Sequence, residues 1–149
     1  MAKETERKFL VRPGFEPPAV KKIRIRQSYF SIDPERTIRL RIIGRKAVIT
    51  FKSSAAKGSF SRNEWEYEIP LEDAREMMKI CLPGSIEKTR YYVPSGNHIF
   101  EVDVFHGRNE GLMIAEIELK SESEEFEKPV WLGEEVTGNP EYYNSNLIL

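Results

Sequence analysis

Disulfide chemistry is the first thing this sequence lacks. Cys81 is the one thiol in 149 residues, which rules out an internal disulfide and fits a reducing compartment. Histidine is nearly as scarce. His98 and His106 flank a candidate strand with no metal-like spacing to each other or to Cys81, so both read as incidental and a zinc-type site is not expected. There is no apolar run near 18 residues and no secretory-type apolar segment at the start, so the expectation is a cytoplasmic protein with no membrane partner. A net charge of either sign is missing as well. Charged residues make up 32% of the chain yet sum to −1 at pH 7, so no global field recruits nucleic acid.

What is present is alternation. With 40% apolar residues the chain can bury one core, and it reads as a single domain over 1–149. Period-2 patterning predicts strands around Phe9-Leu10-Val11 and over 23–31, 37–43, 46–53, 62–69, 85–93, 99–105 and 112–120. Gly44-Arg45 reads as a hairpin turn and Pro94-Ser95-Gly96-Asn97 as another. Residues 53–61 read as a small flexible loop carrying Lys57. Leu71, Ala74, Met78 and Cys81 fall at helical spacing, predicting an amphipathic helix over 71–81 that covers the apolar face of the sheet. Ser121-x-x-Glu124 is a capping box for a short helix ending at Pro129. Asn139-Pro140-Glu141 combines an N-cap, an N1 proline and a first-turn acid, predicting a terminal helix through Leu147.

Nearly every strand sets charge on one face. On a single strand this is the ordinary pattern of a half-solvated sheet. The charges are nevertheless sorted into same-sign doublets two residues apart: Glu4/Glu6, Arg39/Arg41, Glu64/Glu66, Lys88/Arg90, Glu101/Asp103 and Glu116/Glu118. Like charges so placed repel, and six repetitions on a passive surface would cost stability without return. A closed antiparallel barrel with a charged interior accounts for the sorting. Clustered carboxylates suit hard divalent cations such as Mg²⁺ or Mn²⁺, and clustered Lys and Arg suit phosphate oxygens. The partner expected from both together is a small polyanion bridged by metal to the acids and gripped directly by the bases.

The residues then carry a resemblance. Glu4-x-Glu6-x-Lys8 is similar to the ExExK signature of the CYTH superfamily, the triphosphate tunnel metalloenzymes. Gln27-Ser28-Tyr29, Arg39-x-Arg41, Thr50-x-Lys52, Glu64-x-Glu66, Glu87 to Tyr91, Phe100 to Phe105, Glu116-Ile117-Glu118 and Trp131 to Thr137 resemble the family's further blocks in the family's order, over nearly the whole chain. The resemblance implies a mainly β (α+β) fold, an eight-stranded antiparallel closed tunnel with a few flanking helices. It also implies that Lys8, Arg39, Arg41, Lys52, Lys88 and Arg90 grip phosphates, with Arg62 added by parity. Glu4, Glu6, Asp103, Glu116 and Glu118 would bind metal. Glu64 and Glu66 would position metal or water and, with Lys8, make up the catalytic set. Thr5 departs from the family's apolar preference and faces away from the tunnel in this register.

The compact length and the blocks EKTRYY, FEVDVFHG and WLGEEVT resemble the family's short bacterial tripolyphosphatases most. That implies metal-dependent hydrolysis of inorganic triphosphate to pyrophosphate and phosphate. Tyr29, Tyr92 and Phe105 are candidates for stacking on a base at the tunnel mouth, with core or rim packing as the ordinary use of each. Three readings therefore stand beside one another: a tripolyphosphatase; a relative of different specificity, such as a class IV adenylate cyclase or a nucleoside or thiamine triphosphatase; and a module that binds triphosphate or polyphosphate without turnover. A homodimer is left open by the sequence.

Overall fold

The structure is a computed structural model that describes residues 2–18, 21–54 and 61–148, with residues 2–4 and 61 described in backbone only. Among the described residues it holds nine strands and one α-helix: β1 (Ala2–Val11), β2 (Lys22–Ser31), β3 (Arg36–Ile43), β4 (Lys46–Ser53), β5 (Ser61–Ile69), α1 (Leu71–Met78), β6 (Ile86–Ser95), β7 (His98–His106), β8 (Met113–Leu119) and β9 (Leu132–Glu135). No described helix is long and apolar enough to cross a membrane. Most of the loop carrying Lys57 lies outside the described residues.

The strands form one antiparallel sheet in the order β5-β4-β3-β2-β6-β7-β8-β1-β9, and β5 also pairs with β1. β1 is the strand that makes this arrangement work. Its residues 5–10 pair with β8 along one edge. The other edge is divided between β5, which takes residues 2–5, and the short β9, which takes Phe9 and Val11. β9 is the strand that the periodicity did not predict, because four residues with two adjacent acids carry no alternation to read. The hairpins fall where expected. Gly44 and Gly96 open two-residue turns at φ +60 and +59, between the pairs Ile43↔Lys46 and Ser95↔His98, in the left-handed region that glycine enters freely.

One face of the sheet is apolar and covered. Under β1, β6, β7 and β8, Phe9, Val93, Phe100, Val102, Ala115, Ile117 and Leu119 pack with Phe126 and Trp131. Under β3 and β4, Leu40 and Ala47 pack against Ala74 of α1, as the helical spacing predicts. Thr5 is buried on this side at 4% exposure, opposite Leu119, as its parity predicts.

Two predicted helices are absent. Residues 121–123 make a turn and the chain to 130 is irregular. Glu124 accepts from the Lys120 amide at 2.7 Å and contacts His98 Nε2 at 2.7 Å, while Phe126 packs edge-on against Phe9 and Phe100. Tertiary packing of an extended segment has overridden the capping signal. At the C-terminus the Asn139 cap does form, accepting from Glu141 N, but only two 3-10 turns follow, Pro140–Tyr142 and Asn144–Asn146. Tyr143 between them is extended. That bend carries Leu147 and Ile148 onto Tyr29, Ile86, Phe105 and Ile114, where a continuous helix would not bring them.

Candidate active site

In an antiparallel pair, residues directly opposite share a face, so the register fixes which side chains meet. Glu6 lies opposite Glu118 and Lys8 opposite Glu116. Glu116 also lies opposite Glu101. Across the sheet, Tyr29 faces Arg39 and Gln27 faces Arg41, Thr37 faces Lys52, and Thr50 and Lys52 face Glu66 and Glu64. These rows surround one cavity of about 690 Å³, lined by six carboxylates (Glu6, Glu64, Glu66, Glu101, Glu116, Glu118) and six cations (Lys8, Arg39, Arg41, Lys52, Arg62, Arg90). The remaining lining includes Tyr29, Thr37, Thr137 and residues 143–146 of the terminal segment.

The cavity sorts its charges. On β1, β7 and β8 the acids meet one another directly, as Glu6/Glu118 and Glu101/Glu116. Burial, then the Glu6 charge, pushes the Glu116 carboxyl above its ordinary range, with Lys8 opposing. Burial also raises Glu101, with Arg90 opposing and Glu116 adding to the rise. On β3 and β4 the cations crowd instead. Burial, then the neighbouring charges of Arg39 and Arg90, lowers Arg41 to about 10. The Nε atoms of Arg39 and Arg41 are buried with no hydrogen-bond partner among the described residues, an arrangement that leaves donors for an oxyanion.

The other polar groups are held in place. Glu66 Oε2 accepts from Arg41 Nη2 and from Thr50 Oγ1, both at 3.0 Å. Glu64 lies 3.7 Å from Lys52 Nζ. Lys8 Nζ donates to the Tyr142 carbonyl at 3.0 Å and lies 3.7 Å from Glu116, so the terminal segment fixes a signature lysine. Arg62 is tied to the Ser53 carbonyl and to Thr37 Oγ1 at 3.0 and 3.2 Å. β9 acts from the other face, where Glu135 accepts from Arg7 Nε at 2.8 Å and from Thr137 Oγ1 at 2.7 Å, anchoring the strand end from which Thr137 reaches the cavity.

Of the residues singled out from sequence, the cavity gathers Glu6, Lys8, Arg39, Arg41, Lys52, Arg62, Glu64, Glu66, Arg90, Glu116 and Glu118. The Glu4 side chain lies outside the described residues; its backbone pairs with Arg62. Lys88 and Asp103 are not among the described lining residues. Each is 1% exposed and they pair with one another at 2.7 Å, so the structure places neither the expected phosphate contact of Lys88 nor the expected metal contact of Asp103 in the cavity. Glu101 is the acid missing from the sequence-based metal set. It belongs to the same doublet as Asp103, and alternation alone gives the face but not the depth. Phe105 is 1% exposed in the apolar cluster, which makes it core. Tyr29 lines the cavity at 2% exposure, its hydroxyl accepting from Gln27 Nε2 at 2.6 Å. Tyr92 is half-buried, and burial, then Glu101, raises its phenol.

No three described His, Cys, Asp or Glu side chains are gathered tightly enough to enclose a metal ion by themselves. The donor set nevertheless fits Mg²⁺ or Mn²⁺. Mg²⁺ is held by one or two carboxylates with substrate phosphates and water completing the shell, rather than by an all-protein cage. Glu101 and Glu116 face each other with both carboxyls pushed above their ordinary range, an acid pair whose ionised form a divalent cation would stabilise.

Comparison with known proteins covers nearly the whole chain. Residues 2–146 match the CYTH domain model. An inorganic triphosphatase of Acetivibrio thermocellus is 43% identical over 149 residues, covering 99% of this chain and 94% of that protein. An inorganic triphosphatase of Nitrosomonas europaea is 36% identical over 151 residues, covering 98% and 97%. The crystal structure of the inorganic triphosphatase NE1496 superposes with a TM-score of 0.70 at 34% identity, covering 100% of this chain and 96% of that one.

Proposed function

Because the chain belongs to the CYTH domain family, we propose that it hydrolyses inorganic triphosphate to pyrophosphate and phosphate, as one domain whose β5–β1 pairing rolls eight strands into a tunnel around the cavity. The carrying observation is the sorting of six carboxylates from six cations within one 690 Å³ space, with buried guanidinium donors left over. Arg39, Arg41, Lys52, Arg62 and Arg90 surround the substrate and meet the phosphoryl oxygens. Their fixed geometry lowers the cost of orienting a linear triphosphate.

Glu6, Glu116 and Glu118, with Glu101 beside them and Glu4 by parity, hold the divalent cation. When bound, Mg²⁺ or Mn²⁺ supplies charge neutralisation that lets a polyanion lie against carboxylates and polarises the phosphoryl group. Glu66, oriented by Arg41 and Thr50, and Glu64, beside Lys52, hold the attacking water in line with a terminal phosphorus and accept its proton. Lys8, between Glu116 and the terminal segment, meets the charge that develops on the bridging oxygen as the bond breaks.

The site's recognition elements are aimed at phosphates. Contacts to phosphates alone do not favour a nucleotide, and an esterified end loses a charge that a base would have met. The test is a phosphate-release comparison of tripolyphosphate, ATP and thiamine triphosphate. The expected kcat/KM for tripolyphosphate exceeds that for ATP by at least about tenfold, roughly 1.4 kcal/mol in transition-state binding. Equal turnover of ATP, or formation of cyclic AMP, replaces this reading with a nucleotidase or cyclase. Binding without turnover replaces it with a sequestering module.

A further inference from the structure

Arg90 in the cavity wall is backed by Asp103 and Lys88, a charged trio of which the catalytic scheme uses only Arg90. Asp103 on β7 is directly opposite Arg90 on β6 and accepts from Arg90 Nε at 2.8 Å and Nη2 at 3.0 Å. Its Oδ2 also lies 2.7 Å from Lys88 Nζ. Lys88 and Asp103 are 1% exposed, and Lys88 stands 5.5 Å from the centre of the Phe105 ring. The Arg90 nitrogen not used by Asp103, Nη1, points to Glu101 at 3.4 Å, and both Arg90 and Glu101 line the cavity.

An arginine clamped by a carboxylate in two places is precisely oriented but electrically neutral as a pair, and a neutral pair draws an anion weakly. Lys88 changes that balance, because two cations sharing the one buried carboxylate of Asp103 leave a positive charge to face Glu101 and the cavity, and the exposed edge belongs to Arg90. Maintaining this is costly, since burial drives the Lys88 ammonium down to about 8 even with Asp103 opposing. Replacing a buried ion set by apolar groups is often neutral or stabilising, so folding alone gives little reason for the trio.

We propose that Asp103 and Lys88 are positioning residues: Asp103 holds the Arg90 guanidinium so that Nη1 faces the cavity, and Lys88 neutralises Asp103 so that the charge of Arg90 remains available to a phosphoryl group. The inference rests on the cavity being a triphosphate site, and it assigns both residues a role behind the substrate rather than on it or on the metal.

The test uses Lys88→Met, Lys88→Arg and Asp103→Asn in the full chain, with thermal unfolding to verify folding. Binding of a methylene-bridged, non-hydrolysable tripolyphosphate analogue with Mg²⁺ is measured by calorimetry at several salt concentrations. Lys88→Met is expected to weaken binding on the order of tenfold and to flatten its salt dependence, because one screened charge is gone. Lys88→Arg should restore both. Asp103→Asn should lower kcat by misplacing Arg90 while the half-saturating Mg²⁺ concentration stays that of wild type. If Lys88→Met does not fold, Lys88→Gln, which can still donate to Asp103 without charge, carries the same expectation. Unaltered affinity and salt slope in the uncharged Lys88 variant overturn the inference while leaving the triphosphate reading intact. A tenfold rise in half-saturating Mg²⁺ in Asp103→Asn makes Asp103 a metal ligand and overturns it too. Wild-type protein that does not bind the analogue removes both.

Discussion

Glu116 concentrates the chemistry of the cavity in one side chain: it faces Lys8 on one neighbouring strand and Glu101 on the other, and burial with Glu6 nearby pushes its carboxyl up. A nearly isosteric Glu116→Gln should therefore raise the Mg²⁺ requirement far more than it raises KM for tripolyphosphate. Arg39→Ala should do the reverse, since each charge-assisted hydrogen bond lost contributes roughly 1.5–3 kcal/mol, a fall of about 10- to 150-fold in kcat/KM. Metal titrations at saturating substrate, paired with substrate titrations at saturating metal, separate the two. The same metal dependence in both variants would mean that acids and bases are not divided as described. At this scale the sequence was readable because period 2 fixes faces, and same-sign doublets on one face need a partner. It was not readable for Lys88 and Asp103, because whether an inward residue lies in the cavity or beneath it depends on packing at that level. Phe105 and Ile114 lie opposite these two residues and close off their level with apolar bulk.

The elements divide into those set by local pattern and those set by what they pack on. Hairpins and α1 belong to the first class, because glycine turns and helical spacing are local signals. β9 and the terminal segment belong to the second. The Asn139 cap forms as its residues predict, yet the chain bends at Tyr143 because Leu147 and Ile148 gain more by covering Tyr29, Phe105 and Ile114 than by extending a helix. Gly84 is the matching surface for that docking. It sits at φ +89, and an added Cβ there would run into the Ile148 carbonyl. Gly84→Ala is expected to destabilise the fold and to lower activity together, because displacing the segment also frees Lys8 from the Tyr142 carbonyl. Ile148→Ala, which removes buried bulk without blocking the backbone, should cost about 2–5 kcal/mol in denaturant unfolding. Wild-type stability and kinetics in both variants would show that the terminal segment is not part of the site's wall.

As a whole molecule the protein surrounds a charged interior, and its stability should reflect that. Asp103 is held well below its ordinary range because the Lys88 and Arg90 charges outweigh burial. Its contribution is present above the unfolded aspartate range, near pH 3.9, and is lost as pH falls through the lower folded value. Glu101 and Glu116 are raised instead. Their folded forms keep protons that the unfolded chain has released, so stability falls as pH rises above the ordinary glutamate range. Metal-free protein should accordingly be most stable around pH 4–5 so far as these groups decide it, and Mg²⁺ with tripolyphosphate should abolish the decline on the alkaline side by binding the ionised acids. Unfolding curves between pH 3 and 8, with EDTA and then with both ligands, measure this. An unchanged decline with ligands present would place the metal elsewhere.

In the proposed reaction the carboxylates of one cavity reach the triphosphate only through a divalent cation while the bases reach it directly. Phosphorus NMR of tripolyphosphate incubated with the protein tests this most directly, first in excess EDTA and then with Mg²⁺ or Mn²⁺ restored. The expected result is an unchanged spectrum in EDTA and, on adding metal, equal appearance of pyrophosphate and phosphate. Full turnover in EDTA, or no turnover with either metal, would contradict it.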